Sequence, residues 1–216
     1  MKTQPIINRN LIRTQVYDYL RQQMTNGNMQ PGSIIEAKKV MKDLGVSQTP
    51  LREAFLQLQA DGFVTIMPQR GVKINELNWK DIKEIYEIIG GLESRVIISV
   101  FERIGRLEIE KSKQINEEML TVNPRKDLHR YYDKNIEFHN VYLNLCDNDR
   151  IVTLIHKHRQ ILFDFAKRDY GRKWEKDNYL EHLEIIKLIE KGDAKKTAEY
   201  IRDKHLTLKT KYQKSL

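Results

Sequence analysis

Residues 44–55, Leu44-Gly45-Val46-Ser47-Gln48-Thr49-Pro50-Leu51-Arg52-Glu53-Ala54-Phe55, decide the fold of the N-terminal part of the chain. Gly45 follows a short helical segment from Glu36 to Leu44 and suits the left-handed position just past a helix end. Ser47 or Thr49 can cap the next helix, and Pro50 is tolerated in a first turn. Leu51, Phe55 and Leu58 recur at helical spacing, and Asp61-Gly62 ends the run. Upstream, Leu11, Val16, Leu20 and Met24, with Ile12 and Tyr19 beside them, mark a further helix that stops at Asn26-Gly27-Asn28. Pro31-Gly32 then marks a turn. Downstream the period changes. Phe63-Val64-Thr65-Ile66-Met67 reads as a strand, Pro68-Gln69-Arg70-Gly71 as a turn, and Val72-Lys73-Ile74 as the returning strand. Three helices followed by a two-stranded hairpin predict a winged helix-turn-helix over residues 1–74. Val40, Leu44, Val46, Leu51, Phe55, Leu58 and Phe63 are its expected core.

That order suits double-stranded DNA, because a major groove about 12 Å wide admits one helix, whose first turn meets the base edges. Here the first turn carries Ser47, Gln48 and Thr49, with Arg52 one turn on. Gln48 can pair with adenine through two hydrogen bonds, and Arg52 can bridge to guanine or phosphate. Ser47 and Thr49 can reach phosphate or a base. Lys38, Lys39 and Lys42 suit the flanking backbone, and Arg70-Gly71 at the hairpin tip can reach phosphate or the minor groove. Charge is biased the same way. Residues 1–74 hold 10 basic and 5 acidic side chains, a net of +5, whereas residues 75–216 hold 28 and 25, a net of +3 over twice the length.

The 216 residues can bury a sizeable core, and no apolar run approaches the roughly 20 residues of a membrane helix. No apolar stretch of signal-peptide type follows Lys2. A single cysteine, Cys146, excludes an internal disulfide and a cysteine-rich zinc site. The expectation is a cytoplasmic protein with no membrane partner.

From Asn78 onward the pattern is helical throughout. Spans 79–103, 105–121, 125–145, 148–169, 174–191 and 194–211 are separated by Asn123-Pro124, Asp147-Asn148, Gly171 and Gly192-Asp193. They predict an all-α antiparallel bundle over residues 75–216. Gly90-Gly91 falls inside the first span, where each glycine costs about 1 kcal/mol relative to alanine. A kink or a close helix crossing is expected there.

All six histidines lie in this helical part. Asn135 and His139 are four apart and share a helix face. His182 lies 10 residues before Gly192 and His205 lies 13 after it. If Gly192-Asp193 joins antiparallel helices, the two stand about 15 and 20 Å from the turn, at nearly one height. His139, His182 and His205 can then converge on one divalent ion, and imidazole suits zinc, nickel, iron or cobalt. Spacing alone also admits histidines that are merely buried or exposed, the reading given to His129, His156 and His158. One of the last two could still border a cavity.

The N-terminal motifs resemble the GntR family of bacterial transcription regulators: Pro31-Gly32, Leu44-Gly45-Val46-Ser47, Thr49-Pro50-Leu51-Arg52-Glu53-Ala54, Leu58, Asp61-Gly62, Val64 and Pro68-Gln69-Arg70-Gly71. The resemblance covers residues 10–74 and implies a homodimer on short palindromic operators. The family usually has arginine where this chain has Gln48, and often at Lys38, while Arg52 keeps the family residue. A more adenine-tolerant half-site, or weaker specificity, is the expected consequence. The helical part resembles the ligand-sensing FCD domain of the FadR subfamily, through Asn135-Ile136-Glu137-Phe138-His139, Glu181-His182, Ile186, Ile189, Gly192-Asp193, Ala198 and His205. That resemblance implies a metal held by His139, His182 and His205 with the residue at 135, where the family has aspartate, and a small carboxylate or similar effector completing its shell. It also implies an effector pocket beside Leu92-Glu93. Ile89 stands where the family commonly places arginine, so Arg95 or Arg159 is the candidate compensating cation. The separation of 23 residues between His182 and His205 is one longer than the family's, and an adjustment near Asp193–Lys196 is expected to absorb it.

The combined expectation is a non-enzymatic, effector-responsive DNA-binding homodimer with zinc or nickel and a small anionic or polar effector. Two alternatives stay open on residues alone. One is a DNA-binding dimeric scaffold with structural histidines. The other is a metal-dependent hydrolase, which lacks an evident base, since Glu137 and Glu181 adjoin histidines in sequence but project elsewhere on their helices.

Overall fold

A computed structural model describes residues 9–124, 126–165 and 172–208. The chain forms two compact units, Met1–Leu77 and Asn78–Leu216.

In the first unit, α1 (Arg9–Thr25) packs on α3 (Gln48–Ala60) through Val16, Leu20 and Met24, which are buried. The side chain of Leu11 lies outside the described residues. The Tyr17 hydroxyl donates to Asp61 at 3.0 Å, tying α1 to the end of α3. Burial and the adjacent Asp61 carboxylate push that phenol up to about 12. The Arg21 guanidinium lies 3.7 Å above the Phe63 ring, a cation–π contact across the same corner. α2 (Ala37–Leu44) ends at Gly45, whose φ of 64° is left-handed and whose N–H closes onto the Met41 carbonyl. Ser47 occupies the N-cap of α3 with extended backbone, but its hydroxyl makes no cap bond. Leu51, Phe55, Leu58, Phe63 and Val40 are buried as expected, while Leu44 and Val46 are only half-buried.

The hairpin is β2 (Val64–Met67) and β3 (Gly71–Ile74), in antiparallel register Val64↔Ile74 and Ile66↔Val72. Pro68 presets the turn, Gln69 takes a positive φ of 59°, and the Arg70 N–H bonds Met67 O at 3.0 Å. This is a turn with proline first and a left-handed residue second. A third strand was not legible. β1 (Ile34–Ile35) pairs with β3, giving the order β1-β3-β2. Two residues carry too little pattern to read as a strand, and only pairing to β3 defines them.

The second unit is all-helical. α4 (Trp79–Val100) begins with a capping box between Asn78 and Asp81 and ends in a 3₁₀ turn, Phe101–Arg103. Then follow α5 (Arg106–Thr121), α6 (Leu128–Leu143), α7 (Asp149–Phe165), α8 (Arg172–Glu190), α9 (Ala194–Tyr200) and a π-turn, Ile201–His205. The expected break at Gly171 and the expected helix over 166–169 and 209–211 fall outside the described residues. α4 packs on α6, α7, α9 and the π-turn, and Ile82, Ile89, Val96 and Ile97 are buried along it. Among the described residues, no helix is long and apolar enough to cross a membrane.

α4 runs unbroken through Gly90-Gly91, and the two glycines differ. A Cβ on Gly90 would lie 3.1 Å from the Leu206 carbonyl oxygen and 3.4 Å from the Arg202 Cα. This is the close crossing. A Cβ on Gly91 meets nothing within 4 Å. Gly90→Val should therefore destabilise the helical unit by about 1–3 kcal/mol through overpacking against backbone. Gly91→Ala should leave the fold intact or stabilise it by up to about 1 kcal/mol. Urea denaturation of both variants checks this, and equal effects would contradict it.

Candidate metal centre and nucleic-acid interface

On the first unit, the inner face of α3 buries Leu51, Ala54, Phe55 and Leu58. Helical periodicity therefore turns Gln48 and Arg52, four apart, outward together. Ser47, Gln48, Thr49 and Arg52 are exposed, as are Lys38, Lys39 and Lys42 on α2 and Arg70 and Gly71 at the wing tip. The fold thus leaves each predicted contact residue accessible.

On the second unit, α6 supplies Asn135 and His139, α8 supplies His182, and the π-turn supplies His205. All three histidines are buried, with side-chain ligand atoms within 4.8 Å of one another. His139 Nε2 and His205 Nε2 stand 3.1 Å apart. The Asn135 amide lies 3.4 Å from His182 Nε2, with Nδ2 on that side. Rotation of the amide presents Oδ1 there instead.

Each imidazole is held at its other nitrogen. His139 Nδ1 lies 2.9 Å from Glu93 Oε2 and 2.7 Å from the Tyr142 hydroxyl. His182 Nδ1 lies 3.0 Å from Asn116 Oδ1, and Asn116 Nδ2 donates to the Tyr179 carbonyl at 3.2 Å. That second bond fixes which end of the amide faces His182, so His182 Nδ1 carries the proton. His205 Nδ1 lies 3.2 Å from Glu181 Oε2. Phe138 stacks on the His182 ring at 3.8 Å between centroids. With three Nδ1–H groups donating, three Nε2 lone pairs face one region. Two such lone pairs at 3.1 Å repel unless a cation lies between them. At metal–nitrogen distances of about 2.0–2.1 Å, two nitrogens on one ion stand about 3.0–3.4 Å apart. The donor set fits a divalent transition ion, and carboxylate or amide partners on the distal nitrogens are the usual support for such ligands.

The electrostatics keep the imidazoles neutral. Burial, then the Arg159 charge, lowers His139 to about 3. Burial lowers His205 to about 4, and burial with the two neighbouring imidazoles holds His182 well below its ordinary value. For Glu93, fully buried, burial acts upward. The Arg159 guanidinium and His139 outweigh it and hold the carboxyl well below the usual range. Arg159 donates Nε–H to Glu93 Oε1 at 2.8 Å and a second N–H to the same oxygen. Tyr142 donates to Glu93 Oε2, and burial and that carboxylate push its phenol well up.

Of the residues expected in an effector pocket, Ile89, Glu93 and Arg159 are buried. Arg95 is not: it is exposed on α4. Two positions away from Glu93 on a helix is the opposite side, so Arg95 cannot replace the missing cation. Glu181 corrects a second expectation. It does turn to the cluster, through His205 on another element, which sequence adjacency to His182 concealed. Glu137 instead pairs with Lys134 at 2.8 Å. His156 is half-buried, and burial with the Arg159 charge lowers it below its ordinary value. Asn116 and Tyr142 were missed. Tyr142 follows His139 by three residues on one face, and Asn116 interrupts the buried stripe of Ser112, Ile115 and Met119. Both signals were present. The one-residue excess between His182 and His205 is absorbed at His205 itself, not near Asp193–Lys196. α9 starts regularly, with the Asp193 side chain accepting from Lys196 N. The Leu206 N–H then bonds Ile201 O at 2.7 Å, five residues back. A π-turn inserts one residue without breaking the helix.

A winged helix-turn-helix on one unit and a histidine-bearing bundle on the other define a two-part transcription regulator. The model of bacterial regulatory proteins of the gntR family matches residues 12–74, and that of the FCD domain matches residues 84–207. The chain belongs to the GntR family and carries an FCD domain, of the FadR type. This is a non-catalytic family, which removes the hydrolase alternative. The chain is 26% identical over 190 residues to the uncharacterised HTH-type regulator YdhC of Bacillus subtilis, covering 87% of this chain and 84% of that protein. It is 26% identical over 136 residues to the Escherichia coli repressor RspR, covering 63% of this chain and 60% of RspR. In fold it is similar to E. coli McbR/YncC, with a TM-score of 0.68, 17% identity and coverage of 90% and 93%. A GntR regulator from Rhodococcus sp. RHA1 gives 0.67, 20% identity and coverage of 88% and 91%.

The lowered histidines set a pH dependence for the metal-free protein. Their folded values lie below the unfolded value of about 6.5, so the unfolded chain binds more protons between the two. Stability should be complete above about pH 6.5 and fall as pH drops toward 4, by up to about 1.4 kcal/mol per pH unit for each histidine. Urea titrations from pH 7.5 to 5 should show this slope, and His205→Gln should reduce it. An unchanged slope in the variant would contradict the assignment.

Proposed function

We propose that the chain is a homodimeric, sequence-specific DNA-binding regulator whose operator affinity responds to a small molecule at a metal centre. The convergence of three bare Nε2 atoms, each set by an engaged Nδ1, is the observation that carries the sensing half of this reading. His139, His182 and His205 would hold zinc or nickel, and the Asn135 amide oxygen is the weaker fourth donor. The ion would supply a Lewis-acidic anchor for an anionic or polar effector. Neutral ligands leave its charge largely uncompensated. Arg159 is already bound to Glu93, Ile89 carries no charge, and Arg95 faces outward, so the ion itself is the attraction for an anion. The facing Nε2 atoms favour sensing over the scaffold alternative, in which each buried Nε2 would need a donor of its own.

Residues 1–74 are the DNA-binding part in this reading, and residues 75–216 carry the metal, the effector and dimerisation. Gln48 and Arg52 meet base edges, Ser47 and Thr49 a base or phosphate, and Lys38, Lys39, Lys42, Arg70 and Gly71 the backbone of a palindromic operator. An effector changes DNA affinity only if it binds two dimer arrangements unequally.

Metal content after dialysis against trace zinc and nickel tests the sensing half. One equivalent per chain is expected in wild type, near none in His182→Ala, and a tighter site in Asn135→Asp, where a charged oxygen replaces a neutral one. A metal-free wild type, or a full equivalent in His182→Ala, would return the histidines to a structural role. Operator titrations test the other half. Affinity should fall as salt rises, and Arg52→Ala should cost about 1–3 kcal/mol on cognate DNA, more than Lys73→Ala. Equal losses on cognate and random duplex would reduce Arg52 to a phosphate contact.

A further inference from the structure

His182 is held differently from the other two histidines of the cluster. The partners behind His139 and His205 include carboxylates, Glu93 and Glu181. Behind His182 stands the neutral amide of Asn116, 3.0 Å from Nδ1. A carboxylate on the distal nitrogen raises the basicity of an imidazole through its negative charge, and a neutral amide does so less. His182 is therefore the weakest donor of the three. An ion left with two imidazoles has fewer than the three protein ligands such sites ordinarily provide. Whatever frees His182 thus governs release of the ion.

The Nε2 side differs as well. His139 Nε2 and His205 Nε2 face each other at 3.1 Å, with no further partner for either nitrogen among the described residues. His182 Nε2 has an N–H donor, Asn135 Nδ2, at 3.4 Å. That is longer than the roughly 3 Å of a firm N–H donor bond, so it is easily given up. The two asparagines on His182 are not equivalent. Asn116 is fully buried and tied at both ends, Oδ1 to His182 and Nδ2 to the Tyr179 carbonyl at 3.2 Å. Turning its amide over would break both bonds. Asn135 is half-buried, and its Oδ1 has no hydrogen bond among the described residues. Turning this amide over breaks one weak bond and puts Oδ1 where Nδ2 was. An amide carries a donor and an acceptor on one carbon, whereas a carboxylate has no donor. Asparagine can therefore serve a bare lone pair with one end and a cation beside it with the other. Phe138, stacked on His182 at 3.8 Å with 10° between the ring planes, holds the imidazole in place for either use.

We propose that Asn135 is a reversible partner of His182. Its Nδ2 takes the Nε2 lone pair when no ion does, and its Oδ1 joins the three imidazoles when one does. Loading is then an exchange between two satisfied arrangements, and the divalent ion is an exchangeable component of the site. This deepens the metal reading above and rests on it. The test uses the full chain at pH 8, chelated with EDTA and then titrated with zinc against a competing chelator. In the chelated protein, imidazole ¹⁵N spectra of Asn135→Ala should show the His182 Nε2 signal moved to that of a free lone pair, with His139 and His205 unmoved. Asn135→Asp should act in opposite directions on the two forms. It should bind zinc at least tenfold more tightly, yet melt about 2–4 °C lower when chelated, because the donor is lost. A His182 signal indifferent to Asn135→Ala, or an Asn135→Asp chain that melts like wild type when chelated, overturns the exchange and leaves Asn135 a ligand at most. Lost stability with no gain in zinc affinity overturns it from the other side. Each of these results leaves a zinc-binding wild type, and so the metal centre, standing. A wild type that binds no zinc overturns the metal centre and this inference with it.

Discussion

The Glu93 carboxylate organises the helical unit. It is fully buried in α4, and an ionised carboxylate in such a place is tolerated only with strong partners. Arg159 from α7 gives it two charge-assisted bonds, and Tyr142 and His139 from α6 supply the rest. One side chain therefore fixes the positions of three helices. It also fixes a tautomer, because a carboxylate accepts and His139 must offer it Nδ1–H. His139 Nε2 is left as a lone pair aimed at His182 and His205. Removing Arg159 alone would strand a buried charge, so the cation belongs to the framework of the site. That role makes it unavailable to a ligand's carboxylate.

The π-turn answers a geometric problem that this framework creates. With α4 and α6 locked by Glu93, His205 must reach a point already defined by His139 and His182. The separation of His182 and His205 is 23 residues, one more than the family resemblance leads one to expect. Adding a residue to a regular helix would rotate His205 by about 100° and move it off the cluster. Widening a single turn, with Leu206 N–H bonded to Ile201 O, takes up the residue and keeps the direction. The widened turn brings the Leu206 carbonyl and Arg202 onto α4 at Gly90, where the missing Cβ leaves room for them. Gly90 and the extra residue are thus two parts of one adjustment.

Much of this was legible in the sequence because it rested on periodicity and punctuation. Gly45, Asp61-Gly62 and Pro68 fixed the boundaries of the winged helix, whereas the spacing of Asn135, His139, His182 and His205 only admitted a cluster and the family resemblance singled it out. What was not legible depended on contacts distant along the chain. Ile34-Ile35 became a strand only through β3. Asn116 found His182 across 66 residues, and Glu181 found His205 although it adjoins His182. Arg95 was misplaced for a different reason: proximity to Glu93 in sequence stood in for proximity in space, and two residues on a helix reverse the face. The π-turn is a property of hydrogen-bond registry, which residue types do not announce.

α4 brings these features together along one rod. Its inner face holds Glu93 and so the orientation of His139. Gly90, two residues before Leu92 and on the packed side, receives the turn that carries His205. Gly91, 100° further round, is bare. A rigid helix cannot shift one of these faces without the others. An ion drawing His139 and His205 together would therefore bear on α4 through two separate contacts, Glu93 and Gly90. Any displacement of α4 moves its exposed side with it. For a ligand at the histidines to favour one arrangement of two copies over another, it needs an element that touches both places, and unequal binding to the two arrangements does the rest. Among the described residues α4 reaches the cluster through both contacts, and its 22 residues, about 33 Å, carry any displacement there along the length of the unit.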